Sequence, residues 1–458
     1  MQTEDFRSAA HEIVDWIADY LENPRDLPVL PDMQPGDLVS RLPGSAPEQG
    51  EPMGRILEDF HKLIVPAVTH WNHPRFMAYF PSSASPPGVL GEMLSAALNT
   101  NAIVWKSSPA NTELEMVTMG WLRQWLGLPE EFFGIIYDTA SVGTMHAIAA
   151  AREMADPEAR NKGATRGLTL YASQQAHSSV EKGAIAVGVG RENVRKIPAD
   201  AEFRMRVDAL VEAIETDRKA GLKPFCVVAT VGTTSSTSVD PVAEIVQVAE
   251  KYGLWCHVDA AYAGAAAILP ECRWILQGAE RAHSLVVNPH KWLLTPADLS
   301  AFFTRRPDIL RRAFTLVPEY LRTSQDGKAT NFMDYSIAMG RRFRSLKLWF
   351  VMRSYGKEGV AEILRRHIGM GQRIAAAVDA DQRFERVSPT PFSVVCFRYK
   401  GSDEENRALL DRVNATGKTF LSHTELNGRF VIRFAIGNVG TTQQDVDEIW
   451  SLIQQLAP

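Results

Sequence analysis

Three rhythms of apolar and polar positions follow one another along the chain. In "TEDFRSAAHEIVDWIADYLEN" the residues Phe6, Ile13, Ile17, Tyr20 and Leu21 recur at helical spacing. Thr3 is the expected N-cap, Glu4 and Asp5 fall in the first turn, and Pro24 ends the run. From Pro24 to Pro52 the chain is proline-rich and reads as extended. Such an arm has no core of its own, so its apolar stripe must lie against another domain or another subunit.

From about residue 90 the rhythm changes to strand, small-residue turn, helix. "FGIIYDTASVGTMHAIAAAREM" and "LTLYASQQAHSSVEKGAIAVG" each follow that plan, and "FCVVATVGTTSSTSVDPVAEIVQVAEKYGLWCHVDAAYAG" adds a further strand. Consecutive Val, Ile and Leu in these strands fit a parallel sheet covered on both faces. The pattern predicts a large α/β domain. "IAMGRRFRSLKLWFVMRSYG" is expected to leave that domain as a helix. Beyond it, "FSVVCFRY" reads as a strand, "HTELNGRFVIRFAIG" as a hairpin turning at Asn427-Gly428, and "TTQQDVDEIWSLIQQLA" as a helix with a threonine cap. There is no internal repeat.

Composition narrows the class. The 458 residues are 45% hydrophobic and 22% charged, which is globular, with length for two or three domains. A net charge of -5 does not advertise a nucleic-acid or membrane partner. Cys226, Cys256, Cys272 and Cys396 form no C-x-x-C pair, so neither a disulfide framework nor a zinc site is expected. The acidic, amphipathic N-terminus is unlike a signal peptide, and a cytoplasmic location is the default expectation.

The candidate chemistry centres on "HSLVVNPHKWLLTP". Lys291 stands between a strand end and the apolar Trp292-Leu293-Leu294. Burial there would lower its pKa, and a neutral amine can condense with an aldehyde. An isolated lysine would more often snorkel outward; its companions change the balance. In "LWCHVDAAYAG", Asp259 at a strand end can bond a protonated pyridine nitrogen, and Ala260 and Ala261 let a flat ring approach. Standing alone, that aspartate would read as a helix cap. In "SQQAHSSVEKGA", His177 could stack on a cofactor ring, although a lone histidine is more often a cap or core residue. In "YDTASVGTMH", free amides at a helix start and the hydroxyls of Thr139 and Ser141 suit a phosphate. There is no H-E-x-x-H metal spacing, no G-x-S-x-G elbow and no Walker loop. A lysine, an acid for a pyridinium, a stacking imidazole and a phosphate cup are the parts of a pyridoxal 5′-phosphate site.

"NPHKW", "HVDAAYAG", "QAHSSVEKG", "TVGTTSSTSVDP", "HPRFMAYFPSSASPPGVLGEML", "SSPANTELE" and "GRRFRSLKLW" together closely resemble the group II pyridoxal-phosphate decarboxylases, in the aromatic-L-amino-acid decarboxylase branch. The resemblance spans nearly the whole chain. It implies the PLP-dependent transferase-like fold type I, an α/β architecture. That fold has an N-terminal helical arm exchanged between subunits (1–85), a large, mostly parallel-sheet cofactor domain (86–346) and a small C-terminal α/β domain (347–458). It also implies an intertwined homodimer with shared active sites. By matching motifs, Lys291 resembles the lysine joined to the cofactor, Asp259 the pyridinium partner and His177 the stacking histidine. Ala140, Ser141, Asn288 and His290 resemble parts of the phosphate site; Thr234 and Ala261 match positions beside the cofactor. Tyr320 falls where the family carries a proton-donating tyrosine on a mobile loop. Related aldehyde synthases commonly have phenylalanine there, or lack the histidine, and consume O2. Val142-Gly143 and Lys106 depart from the family pattern, which puts the phosphate shell in doubt and leaves the reaction class standing.

Trp71, Tyr79, Phe80, Pro81, Ser82 and Ile103 match the family's side-chain pocket, an aromatic-rich lining that suits an aromatic ring. Gly340 matches a pocket position where glycine leaves room for indole. The expected activity is decarboxylation of tryptophan, DOPA, tyrosine or phenylalanine to the aryl-ethylamine. The alternatives are an oxidative aldehyde synthase, disfavoured by Tyr320, and a non-catalytic cofactor-binding relative, disfavoured by the intact lysine, aspartate and histidine.

Overall fold

The computed structural model describes residues 1–163, 166–316, 321 and 327–458. Its first strand, β1 (Phe76–Met77), pairs with a distant sheet near the C-terminus. The main sheet follows: β2 (Phe133–Tyr137), β3 (Leu168–Ser173), β4 (Val194–Ile197), β5 (Lys223–Thr230), β6 (Trp255–Asp259), β7 (Ser284–Val287) and β8 (Ser300–Thr304). Their order is β2-β8-β7-β6-β5-β3-β4. The neighbours β3–β4, β3–β5, β5–β6 and β6–β7 are parallel, and β8 is antiparallel to both β7 and β2. Six strands therefore run one way and β8 alone runs back.

Alternate side chains of these strands sort into two apolar clusters. Val227, Ala229, Val258, Leu285 and Phe303 belong to one, and Cys226, Val228, Trp255, Val286 and Phe302 to the other. Both faces are thus buried, which is why the strands read as unbroken apolar runs. Helices such as Ala140–Ala155 and Val242–Tyr252 cross between strands, as parallel pairing requires. The four cysteines are buried thiols. Among the described residues no helix is long and apolar enough to cross a membrane, and no His/Cys/Asp/Glu group has metal-binding geometry.

The second sheet contains β9 (Phe384–Arg386), β10 (Val394–Tyr399), β11 (Phe420–Leu426) and β12 (Arg429–Ala435), in the order β1-β11-β12-β10-β9. The β11–β12 hairpin turns at Asn427 (φ 52°) and Gly428 (φ 73°), the left-handed pair that a tight two-residue turn requires. The helix Gln443–Leu456 is capped by Thr442, whose hydroxyl accepts from the Asp445 amide. The Asp445 carboxylate also accepts from Arg25 (2.7 Å) and Arg75 (2.9 Å), tying the N-terminal arm to this helix.

Two expectations are corrected. The first helix is Thr3–Glu22, capped by Gln2 without a side-chain bond, so Thr3 lies inside it. The helix expected from Ile337 runs instead from Arg344 to Ala380, broken by non-helical Gly356. Residues 337–343 are diverted because their hydrogen bonds go elsewhere. The Ala102 amide donates to the Arg341 carbonyl (3.1 Å), and the Arg341 amide donates to Asn101 Oδ1 (2.8 Å). The Arg341 guanidinium is buried against Glu115 at 2.5 Å, and Glu115 also accepts from the Ile136 amide of β2 (2.8 Å).

Removing one partner of a buried ion pair strands the other charge. Glu115→Ala should therefore destabilise the protein by about 3–5 kcal/mol in denaturant unfolding, while Glu4→Ala, in an exposed pair, should cost under about 1 kcal/mol. Stability should also fall with acid. Burial holds His146 and His257 down to about 4 and His367 to about 3, so between those values and 6.5 the unfolded chain binds more protons than the fold. Asp240, pushed up to about 7 by burial, works in the opposite direction but is a single group. Urea midpoints measured from pH 7 to pH 5 should decline, and less steeply in His257→Gln.

Candidate active site

The carboxyl ends of β2, β3, β5, β6 and β7 converge on one cavity of about 230 Å3, the position where open parallel sheets gather ligands. Adjacency of β6 and β7, with Asp259 opposite Val286, brings Asp259 and the segment after β7 together. That segment turns at once into the short helix Pro289–Trp292. Trp292 is buried and stacks on Tyr262 (4.7 Å, 11°), which fixes the turn carrying Lys291. The Lys291 ammonium sits 5.1 Å above the Phe80 ring. Burial pushes its pKa down, and the Asp259 carboxylate partly opposes this. The result is an amine more easily deprotonated than a surface lysine.

Asp259 is 6% exposed and accepts one backbone bond, from Ala261 at 3.1 Å. His177 follows β3. Its Nδ1 accepts the Ser179 amide at 3.1 Å, which leaves the ring proton on Nε2. Burial lowers its pKa, Asp259 raises it and Lys291 lowers it further. The ring is therefore neutral near pH 7.

The remaining wall suits a phosphorylated flat ring. Ala140 and Ser141 open the helix after β2, with Thr139 as its cap. Ala261, Thr234, Asn288 and His290 also line this cavity. His290 is held down to about 4 by burial and accepts from the Leu299 amide at 2.9 Å. Two buried atoms facing the cavity, Asn288 Oδ1 and Thr230 Oγ1, have no partner within the chain. Orphaned buried groups of this kind are costly unless a ligand meets them. The carboxylate, the amine, the free helix start and these two atoms fit pyridoxal 5′-phosphate. The departure at Gly143 has a packing reason, since a Cβ there would lie 3.1 Å from Val286. Lys106 is exposed.

A second cavity of about 800 Å3 opens from the first and shares Lys291, His177, Phe80 and Thr234 with it. Trp71, Tyr79 and Ser82 line it. Trp71 and Tyr79 stack at 5.7 Å. The Ser82 hydroxyl donates to the His290 carbonyl.

Three expected pocket residues lie elsewhere within the chain. Pro81 is buried against Gly437, where an added Cβ would come within 3.3 Å of it. Ile103 packs with Val104, Leu321 and Met333. Gly340 faces Asn101. The physical reason is the backbone bonding of Ala102 and Asn101 to Arg341, which pairs the Ile103 and Gly340 segments with each other, away from the cavity. Tyr320 lies outside the described residues.

Arg433, on β12, was not anticipated. It is 4% exposed, lines the larger cavity and lies 5.3 Å from the Phe80 ring that also carries Lys291. It donates to the carbonyls of Ser235 (2.9 Å) and Tyr79 (3.1 Å) and to the Ser422 hydroxyl, and its Nη2 has no partner. None of these partners is a carboxylate. A single charge inside the apolar run "FVIRFAIG" was the available signal.

Comparison with known proteins agrees with this geometry. The pyridoxal-dependent decarboxylase conserved domain matches residues 35–400. The chain is 44% identical to an aromatic-L-amino-acid decarboxylase of Bos taurus, over 100% of this chain and 97% of the relative. It is 42% identical to a phenylacetaldehyde synthase of Arabidopsis thaliana, over 100% and 96%. A crystal structure of Oryza sativa TDC with PLP and tryptamine superposes with a TM-score of 0.97 at 38% identity, over 100% of this chain and 98% of that one.

Lys291→Ala should abolish covalent retention of the cofactor. Wild-type protein purified with pyridoxal 5′-phosphate should absorb in the visible after desalting, and the variant should not. A variant that kept the band would put the attachment on another lysine.

Proposed function

Because the chain belongs to the pyridoxal-dependent decarboxylase family, we propose that it converts an aromatic L-amino acid to the aryl-ethylamine and CO2. The observation that carries this reading is the cavity walled by Trp71, Tyr79 and Phe80, opening onto Lys291, Asp259 and His177. Stacked rings on such a wall favour an aromatic side chain. Tryptophan, DOPA, tyrosine and phenylalanine all fit its chemistry.

When bound, pyridoxal 5′-phosphate supplies the electron sink that receives the pair left by departing CO2. Asp259 keeps the proton on the pyridine nitrogen. Burial disfavours the charge on Lys291 and makes its amine easier to deprotonate. His177 holds a neutral ring with its proton on Nε2 at the cavity wall. Arg433 gives the cavity a fixed positive charge toward which an amino acid's carboxylate is drawn. Tyr320 is the residue we assign to proton delivery to Cα; with it, the product is the amine.

A second reading has a specific observation behind it, the 42% identity to a phenylacetaldehyde synthase. In that reading one O2 and one water would be consumed per amino acid, and the products would be aldehyde, CO2, ammonia and hydrogen peroxide. His177 and Tyr320 together favour the amine.

We also infer a homodimer. Ile103 and Gly340 lie in segments bonded to each other away from their own chain's cavity, and Ile337 and Met339 beside them are 70% and 40% exposed. A second copy that covered this apolar patch would bring both residues to its own cavity's mouth.

The test is a product assay in air with tryptophan, DOPA, tyrosine, phenylalanine and glutamate, quantifying amine, aldehyde and peroxide. Amine from an aromatic substrate without matching peroxide is expected. Aldehyde with equimolar peroxide would replace this reading by the oxidative one.

A further inference from the structure

The larger cavity carries a residue that none of the family motifs supplies. Tyr20, from the first helix, lines it together with Trp71, Thr69 and Lys291. The ring is fixed: it stacks on Trp16 (5.2 Å, 14°) and leans on His70 at 5.6 Å. Trp16 in turn meets the edge of Phe60 at 5.1 Å. A side chain held by two rings presents its polar atom in one place.

The proton positions around that atom follow from the hydrogen bonds. Tyr20 Oη lies 3.0 Å from His70 Nδ1. Burial disfavours a charged His70, so one ring nitrogen carries a proton and the other a lone pair. The tautomer with its proton on Nε2 leaves the Nδ1 lone pair facing Tyr20, and in that tautomer the phenol donates to His70. Burial keeps both groups neutral: it lowers the His70 pKa and raises that of Tyr20. A hydroxyl that has donated its only hydrogen retains two acceptor sites. Among the described residues, nothing donates to the Tyr20 oxygen.

We propose that Tyr20 is a specificity-determining residue that accepts a hydrogen bond from the indole N–H or phenol O–H of the substrate ring. This rests on the aromatic-substrate reading above and sharpens it. An acceptor-only oxygen in an otherwise aromatic wall rewards a ring that carries a donor. Phenylalanine has none and leaves the oxygen unmatched. The substrate class narrows to donor-bearing rings, tryptophan, tyrosine and DOPA. His70 is a positioning residue, since it holds the phenol proton away from the cavity.

The experiment compares kcat/KM for L-tryptophan, L-tyrosine and L-phenylalanine in the wild type and in Tyr20→Phe. The substitution keeps the stack on Trp16 and removes only the oxygen. Wild type should favour tryptophan and tyrosine over phenylalanine. Tyr20→Phe should lose about tenfold on the two donor-bearing substrates and stay within about twofold on phenylalanine. A merely structural role would lower all three together, and that result, or no change in any, overturns the inference while leaving the decarboxylase reading intact. Should Tyr20→Phe not fold, the wild type decides alone: phenylalanine turned over as efficiently as tyrosine overturns the proposal. A wild type that releases amine from none of the three removes the aromatic reading, and this inference with it.

Discussion

Everything chemical in this protein depends on strands pointing the same way. Parallel neighbours end side by side, so β6 and β7 deliver Asp259 and Lys291 to one place without any long-range steering. A carboxylate and an ammonium buried together at the sheet's edge would ordinarily neutralise each other. Here each keeps a separate task. Burial weakens the ammonium, while the carboxylate makes one backbone bond and stays available. The sheet needs both faces covered to hold these ends still, and the two apolar clusters do that.

The family match explains much of what could be read in advance, and physics explains where reading failed. Lys291, Asp259, His177, Ala140, Ser141, Asn288 and His290 were legible because strand–turn–helix units place small and polar residues at strand ends, a local pattern. All of them line the same cavity. The pocket wall was harder. Trp71, Tyr79, Phe80 and Ser82 converge on it, but Pro81, one residue from Phe80, turns into the interior. Ile103 and Gly340 lie apart from their own chain's cavity, because a match by position says nothing about which copy of a chain fills a site. The long helix starts later than its spacing suggests because that spacing continues upstream of Arg344, while two bonds joining Arg341 to Asn101 and Ala102 claim the backbone. Arg433 was passed over because it lies far in sequence from every motif.

The buried cations show how the fold handles charge. Arg341 is matched by Glu115, and Lys347 by Glu92 at 2.9 Å. Arg433 is answered only by carbonyls and a hydroxyl. Arg341 and Lys347 each meet a carboxylate inside the fold. Burial disfavours the charge on Arg433, and one of its nitrogens has no partner beside the cavity. A buried cation without an anion is expensive, which makes it informative about what the cavity receives.

The strand β1 belongs to the small sheet, pairing with β11, although it lies early in the chain. Trp71 and Tyr79 flank it, and Arg75 ties it to Asp445 in the last helix. Lys291 and Asp259 stand on the large sheet. The aromatic wall and the lysine–aspartate pair are thus anchored in separate sheets. A shift of one sheet against the other would therefore move the aromatic wall relative to the lysine and the aspartate without disturbing either of them.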